Sequence, residues 1–179
     1  SEKKFDTIRR LTNLAVKYTS MSIVPFVVFL YIFSDSVMTL AFGSDATEST
    51  PIFRLLLICI YIHTIINPYS VQIIPLGHLK ISLGINVFAL LLNIILNIFF
   101  IPDRFMGFNM LGLGANGAAL TTLLSLSVRG ILAKYFAYKF TKTKGYWRIW
   151  THLFAGGISS AVGYYLYSIS VIWYVLPGY

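Results

Sequence analysis

Residues 81–101 read ISLGINVFALLLNIILNIFFI, an apolar run relieved only by Ser82, Gly84, Asn86, Asn93 and Asn97 and free of charge. A helix needs about 20 such residues to cross the hydrocarbon of a bilayer, so this stretch alone reads as a transmembrane helix. Stretches of the same character lie on both sides of it, at 18–42, 52–76, 115–138 and 150–176. The composition agrees. Of the 179 residues, 57% are hydrophobic and 11% charged, where a soluble domain carries about 25% charged side chains. The expected fold is an all-α integral membrane protein: a bundle of about five transmembrane helices within 18–179, preceded by an amphipathic segment over 1–17.

The net charge of +8 invites a nucleic-acid reading, but the charges are not distributed that way. Lys3, Lys4, Arg9, Arg10, Lys17, Lys80, Lys134, Lys139, Lys142, Lys144 and Arg148 fall in segments 1–17, 77–80 and 134–148. The intervening loops hold Arg54 and Arg104 beside Asp45, Glu48 and Asp103. Basic loops alternate with the others, as in proteins oriented by the positive-inside rule. The N-terminus and the loops at 77–80 and 139–149 are therefore expected in the cytoplasm, with 43–51, 102–114 and the end of this segment outside. Membrane lipids are the expected partners and nucleic acid is not. Trp147 and Trp150 would mark the inner interface of the last span, and Trp173, Tyr174 and Tyr179 the outer one.

In segment 1–17, Phe5, Ile8, Leu11, Leu14 and Ala15 share one helical face while Lys4, Asp6, Arg9, Arg10 and Lys17 stay wet. This helix is expected to run into the first span and to kink at Pro25. Asn67-Pro68 and Pro75-Leu76-Gly77 should interrupt the second span. The chain shows no initiator Met and no signal-peptide pattern at Ser1, and the expectation is a piece of a longer membrane protein. The single Cys59, inside a span, rules out an internal disulfide framework.

The informative residues are the polar ones within the spans. Asn86, Asn93 and Asn97 lie within roughly 40° of one another on a helix, and Ser82 extends the stripe. Amides are costly against lipid, so this face must meet other helices or water. It is either hydrogen-bonding glue between helices or the wall of a polar cavity that a substrate passes. His63, Asn67 and Ser70 share a face of the second span. His63 can take up a proton or a coupling ion, or it can be a neutral structural histidine. Arg129 lies about 15 Å of helix from Lys139; it either snorkels to headgroups or holds an anionic group in a cavity. Asp35 is an ion-pairing or ion-coupling position, or a wet helix end. Gly114, Ala118 and Thr121 form one small-residue stripe and Gly156, Ser160 and Gly163 another, both suited to close helix packing. No paired carboxylates, metal-ligand spacing or phosphate-binding glycine loop occurs, so no catalytic residue, metal or cofactor is expected, and the protein is not expected to be an enzyme.

Two runs carry a resemblance: IIPLGHLKISLGINVFALLLNIILNIFFIP at 73–102 and LGLGANGAALTTLLS at 111–125. In order and spacing they resemble the C-terminal half of Wzx-type polysaccharide flippases, the O-antigen and exopolysaccharide exporters of the multidrug/oligosaccharidyl-lipid/polysaccharide superfamily. The Gly77-x-x-Lys80 turn, the Asn-rich helix and Gly117-Ala118-Ala119 are the matching features. MSIVPFVVFLYIFSDSVMTLAFG at 21–43, with Pro25 and Phe42-Gly43, is similar to the family's first C-lobe helix. The resemblance implies part of a C-terminal lobe, completed by an N-terminal lobe of the same polypeptide. Its cargo would be a polyprenyl-linked oligosaccharide crossing the plasma membrane by alternating access. Arg129, with Asn86, Asn93 and Asn97, would then contact substrate, and His63 and Asp35 a coupling ion. A Na⁺- or H⁺-coupled multidrug exporter of the same superfamily and a non-transporting membrane scaffold remain as alternatives.

Overall fold

A computed structural model describes residues 2–145 and 149–175, with side chains described over 5–145 and 150–165. The polypeptide is all-α apart from one small hairpin. Its helices are α1 (Glu2–Ile32), α2 (Ser34–Phe42), α3 (Thr50–Val71), α4 (Leu79–Phe100), α5 (Gly114–Thr141) and α6 (Ile149–Val175). Strands β1 (Arg104–Phe105) and β2 (Phe108–Asn109) pair antiparallel between α4 and α5. Three helical stretches are long and apolar enough to cross a membrane: Phe5–Ile32, Ser44–Leu76 and Leu79–Phe100. α5 and α6 have the length, at 28 and 27 residues, but α5 carries Arg129, Lys134 and Lys139 within it. Among the described residues, length and composition thus show three membrane-type helices of the five expected.

The burial pattern is that of a protein dissolved in lipid. Large apolar side chains such as Leu40 (90% exposed), Phe26, Leu83, Ile131 and Phe154 face outward. The buried positions include Thr12, Ser20, Ser34, Ser82, Thr121, Ser125, Thr141 and Ser160, and no Lys, Arg, Asp or Glu among the described residues. Small hydroxylated residues let helix backbones approach and bond across the contact, which matters where solvent drives no hydrophobic association.

The principal contacts place the long helices in a row, α6–α1–α3–α5–α4. In this row α6 and α4 are the end members of the described contacts. Directions follow from paired positions. Ser20 meets His152 and Val24 meets Gly156, so α1 and α6 run parallel. Cys59 meets Ala119 and Ile66 meets Gly130, so α3 and α5 also run parallel, and both oppose α1. α3 sits at the centre, where Ile65, Ile66 and Tyr69 pack against Val16 of α1 and Ala133 and Ala137 of α5.

Several local expectations are corrected. Segment 1–17 does run into the first span as expected, both belonging to α1, within which Pro25 lies without ending the helix. The interruption falls at Phe33, where α2 begins. The inward face of α1 is Thr12, Val16, Ser20 and Val24, whereas Leu11 and Ala15 point outward. In lipid the apolar face is the free one. Likewise α3 continues through Pro68 to Val71, and only the second predicted break is real, a 3₁₀ turn at Ile74–Leu76 closed by left-handed Gly77. Of the expected aromatic belt, Trp150 is 60% exposed; Trp147, Trp173, Tyr174 and Tyr179 lie outside the described side chains.

Gly117 is where α5 touches the end of α4. A Cβ there would stand 2.6 Å from the Phe100 carbonyl oxygen, a backbone atom that cannot swing away. Gly157 of α6 has open space around it. Gly117→Ala should therefore destabilise the protein by about 1–3 kcal/mol through overpacking. Gly157→Ala should leave it unchanged or stabilise it by up to about 1 kcal/mol through helix propensity. Unfolding of the two variants in detergent micelles checks this contrast.

Candidate functional site

The sequence singled out His63 and Arg129 for separate roles, and the structure brings them together. α3 and α5 run side by side with Ile66 against Gly130, and one turn earlier Arg129 Nη1 lies 3.1 Å from His63 Nδ1. A guanidinium can only donate, so Nδ1 is the acceptor and the ring proton belongs on Nε2, directed away from the pair. The arginine is half-buried; its Nε is buried and has no hydrogen-bond partner. Neither of the two ion pairs among the described residues involves it. By helical rise it stands ~22 Å from Gly114 and ~18 Å from Thr141, near the middle of α5. Arg129 is thus a mid-helix cation with a neutral partner and no carboxylate.

The asparagine stripe divides. Asn97 donates to Asn93 Oδ1 (3.2 Å), Asn93 donates to Ser125 Oγ (3.2 Å), and Thr121 donates to Asn97 Oδ1. Ser125 in turn donates to the Thr122 carbonyl at 3.0 Å. These four side chains form a hydrogen-bonded chain between α4 and α5, the glue of the two readings. Asn86 is not part of it. It is exposed, because the face of α4 that meets α5 runs through Ser82, Ile85 and Ala89 and turns Asn86 to its edge. On α5 the inward line is Gly117, Thr121 and Ser125, so Gly114 and Ala118 lie off it. On α6, Gly156 and Ser160 are buried as expected, Gly156 lying against Val24 and Pro25.

Asp35 is held by Arg54. The guanidinium reaches Asp35 Oδ2 with Nη2 at 2.8 Å, donates from Nε to Ser34 Oγ at 2.6 Å, and lies 5.8 Å from the Tyr31 ring. This joins α2 to the first turns of α3 at one end of the array. The ion pair is largely exposed, at 37% and 63% for the two side chains, so it contributes little stability.

At the opposite end is a polar junction that no sequence pattern signalled. Thr12 donates to Gln72 Oε1 at 2.8 Å and Thr143 to the same oxygen at 3.3 Å; Thr141 and Thr143 hydroxyls lie 2.5 Å apart. Arg9 Nε donates to the Thr141 carbonyl, satisfying an acceptor at the end of α5. His78 stacks on Phe140 with centroids 4.1 Å apart. Helices α1, α3, α4 and α5 are therefore tied at this end. The signal missed was positional: Gln72, Thr141 and Thr143 at or just past helix ends, and Thr12 within α1, are each uninformative until the helices meet.

The α4–α5 chain makes a quantitative prediction. Interhelical bonds of this kind average about 0.6 kcal/mol and rarely exceed about 1.7. A double-mutant cycle on Asn93→Ala and Ser125→Ala should return a coupling in that range, measured by unfolding in bicelles. A coupling indistinguishable from zero would remove the bond from the account of α4–α5 packing.

Comparison of the chain with protein families, with curated proteins and with solved structures returned no match. The geometry thus stands by itself: an all-α membrane protein in which a half-buried, mid-helix Arg129 is bonded to His63.

Proposed function

We propose that this chain is part of a plasma-membrane transporter that moves a polyprenyl-linked oligosaccharide between leaflets, with Arg129 binding its pyrophosphate. The observation that carries the reading is the charge of Arg129, uncompensated by any carboxylate among the described residues. A cation at this depth is costly without an anion or water, and a planar guanidinium is suited to phosphate oxygens. His63, with its Nδ1 occupied by Arg129, keeps Nε2–H as a further donor. The row of helices supports the reading further. Its edge helix α6 has α1 as its principal neighbour among the described residues and fits an array that continues into further helices.

In this reading α1, α3, α4, α5 and α6 all cross the bilayer. The end carrying Arg10, Lys80, Lys139, Lys142 and Lys144 faces the cytoplasm, and the end carrying the Asp35–Arg54 pair and the β1–β2 hairpin faces outward. Asn86, at the edge of α4, is available to substrate hydroxyls, whereas Asn93 and Asn97 are engaged with α5. A coupling ion at Asp35 would have to displace Arg54.

The α4–α5 chain also favours a second reading, a non-transporting membrane scaffold, since a polar stripe consumed in helix packing needs no substrate to explain it. Transport by the intact protein in vesicles separates the two. A charge-assisted hydrogen bond is worth ~1.5–3 kcal/mol, so Arg129→Ala should slow flipping roughly tenfold to a hundredfold. Arg129→Lys should retain part of the rate, and Met21→Ala, on the outer face of α1, all of it. Wild-type flipping by Arg129→Ala would refute the pyrophosphate role, and a native protein that flips nothing would leave the scaffold.

A further inference from the structure

Between α4 and α5 the chain forms a two-residue hairpin whose turn residues, Met106 and Gly107, have φ of 48° and 88°. Positive φ at both central positions is the tight turn that matches strand twist. The register pairs Phe105 with Phe108 and Arg104 with Asn109. Paired residues share a face, and neighbouring positions along a strand point to opposite faces. One side of the hairpin is therefore Phe105 and Phe108, and the other is Arg104 and Asn109. The apolar side is open: Phe105 is 42%, Phe108 71% and Met106, at the tip, 83% exposed. A cleft of about 620 Å³, walled by Ile98, Phe99, Phe105, Met106 and Phe108 with Asn109 and Met110 completing the lining, separates it from the last turn of α4.

The segment that follows the hairpin is bonded to the end of α4. Backbone N–H groups of Leu111, Gly112, Leu113 and Gly114 bond the carbonyls of Phe99, Pro102, Phe100 and Ile101 at 2.9–3.1 Å. That ties the loop to the C-terminal end of α4, a helix of membrane-crossing length and composition. Ile94, Ile95, Ile98 and Phe99 of α4 are exposed, as are Phe105, Met106 and Phe108, and Ile98 and Phe99 line one cleft with these hairpin residues.

We infer that the β1–β2 hairpin is an interfacial anchor lying in the headgroup–acyl boundary of the bilayer. Phe105, Met106 and Phe108 dip among acyl chains, which fill the cleft against α4, while Arg104 faces the lipid headgroups and Asn109 borders the cleft. The occupant is lipid because the hairpin's apolar face extends the lipid-facing surface of a membrane helix at the depth where that helix ends. An amphipathic element in that position gains from both layers. The segment had been expected to be an ordinary outer loop.

The test uses the intact protein reconstituted in phosphatidylcholine vesicles, with Cys59→Ala as background and a nitroxide attached at Met106→Cys. Collision with oxygen, which partitions into lipid, is compared with collision with a water-soluble nickel chelate. Labels at Ile95→Cys and Asp45→Cys supply the lipid and water references. The expected result is an oxygen-to-nickel ratio at Met106 several-fold above that at Asp45 and approaching that at Ile95. A ratio equal to that at Asp45 would overturn the anchor. A label shielded from both reagents would also overturn it, by showing that protein rather than lipid covers the hairpin. Phe108→Cys, on the same face, must give the same result as Met106→Cys.

Discussion

Hydrogen bonds between helices, made by side chains that hydrocarbon would leave unpartnered, are what the rest of this structure depends on. The array has them at three levels. Thr12, Gln72, Thr141 and Thr143 join α1, α3 and the end of α5 at one extremity. Asn93, Asn97, Thr121 and Ser125 join α4 to α5 further along. Ser34 and Asp35, bound by Arg54, close the junction of α2 with α3 at the other end. Between these levels the contact is close packing of small residues against branched ones, as where Gly130 meets Ile66.

Against that background Arg129 stands apart. The other hydrogen-bonded arginines lie near helix ends and either pair with a carboxylate or cap a carbonyl: Arg9 with Asp6 and Thr141, Arg54 with Asp35. Arg129 lies in mid-helix, bonded to a neutral imidazole, with Nε buried and unpartnered. A packing role would be served as well by an uncharged residue, and that is why this position anchors the functional reading.

The loop after α4 shows how the same constraint shapes an irregular segment. Four consecutive N–H groups from Leu111 to Gly114 turn back onto the end of the helix, so its last carbonyls are met within the protein. That path requires left-handed backbone at Gly112, where a Cβ would also stand 2.0 Å from Asp103 Oδ1. Gly112 is thus set by this path, whereas Gly107 serves the hairpin turn and Gly117 the close approach to Phe100.

The sequence by itself determined that the chain is helical and of membrane type, because a run such as 81–101 has no other stable state in lipid; α4 begins and ends within two residues of that reading. It also determined that Asn93, Asn97, His63 and Arg129 had to find partners, since their polarity and depth are visible in one dimension. The tertiary structure decided which partners. In a soluble protein the apolar face of a helix marks its inside, but in lipid both faces are apolar, so neither the outward turn of Leu11 nor the inward turn of Thr12 and Ser20 could be read from periodicity. For the same reason Asn86 was grouped with Asn93 and Asn97 although it sits at the edge of the α4–α5 contact. Pro68 misled because a proline ends a helix only where its surroundings let it, and the residues beside it, Ile66 and Tyr69, are packed among Val16 of α1 and Ala133 and Ala137 of α5. The meeting of His63 with Arg129, 66 positions apart, is set by the parallel run of α3 and α5, a property of packing alone.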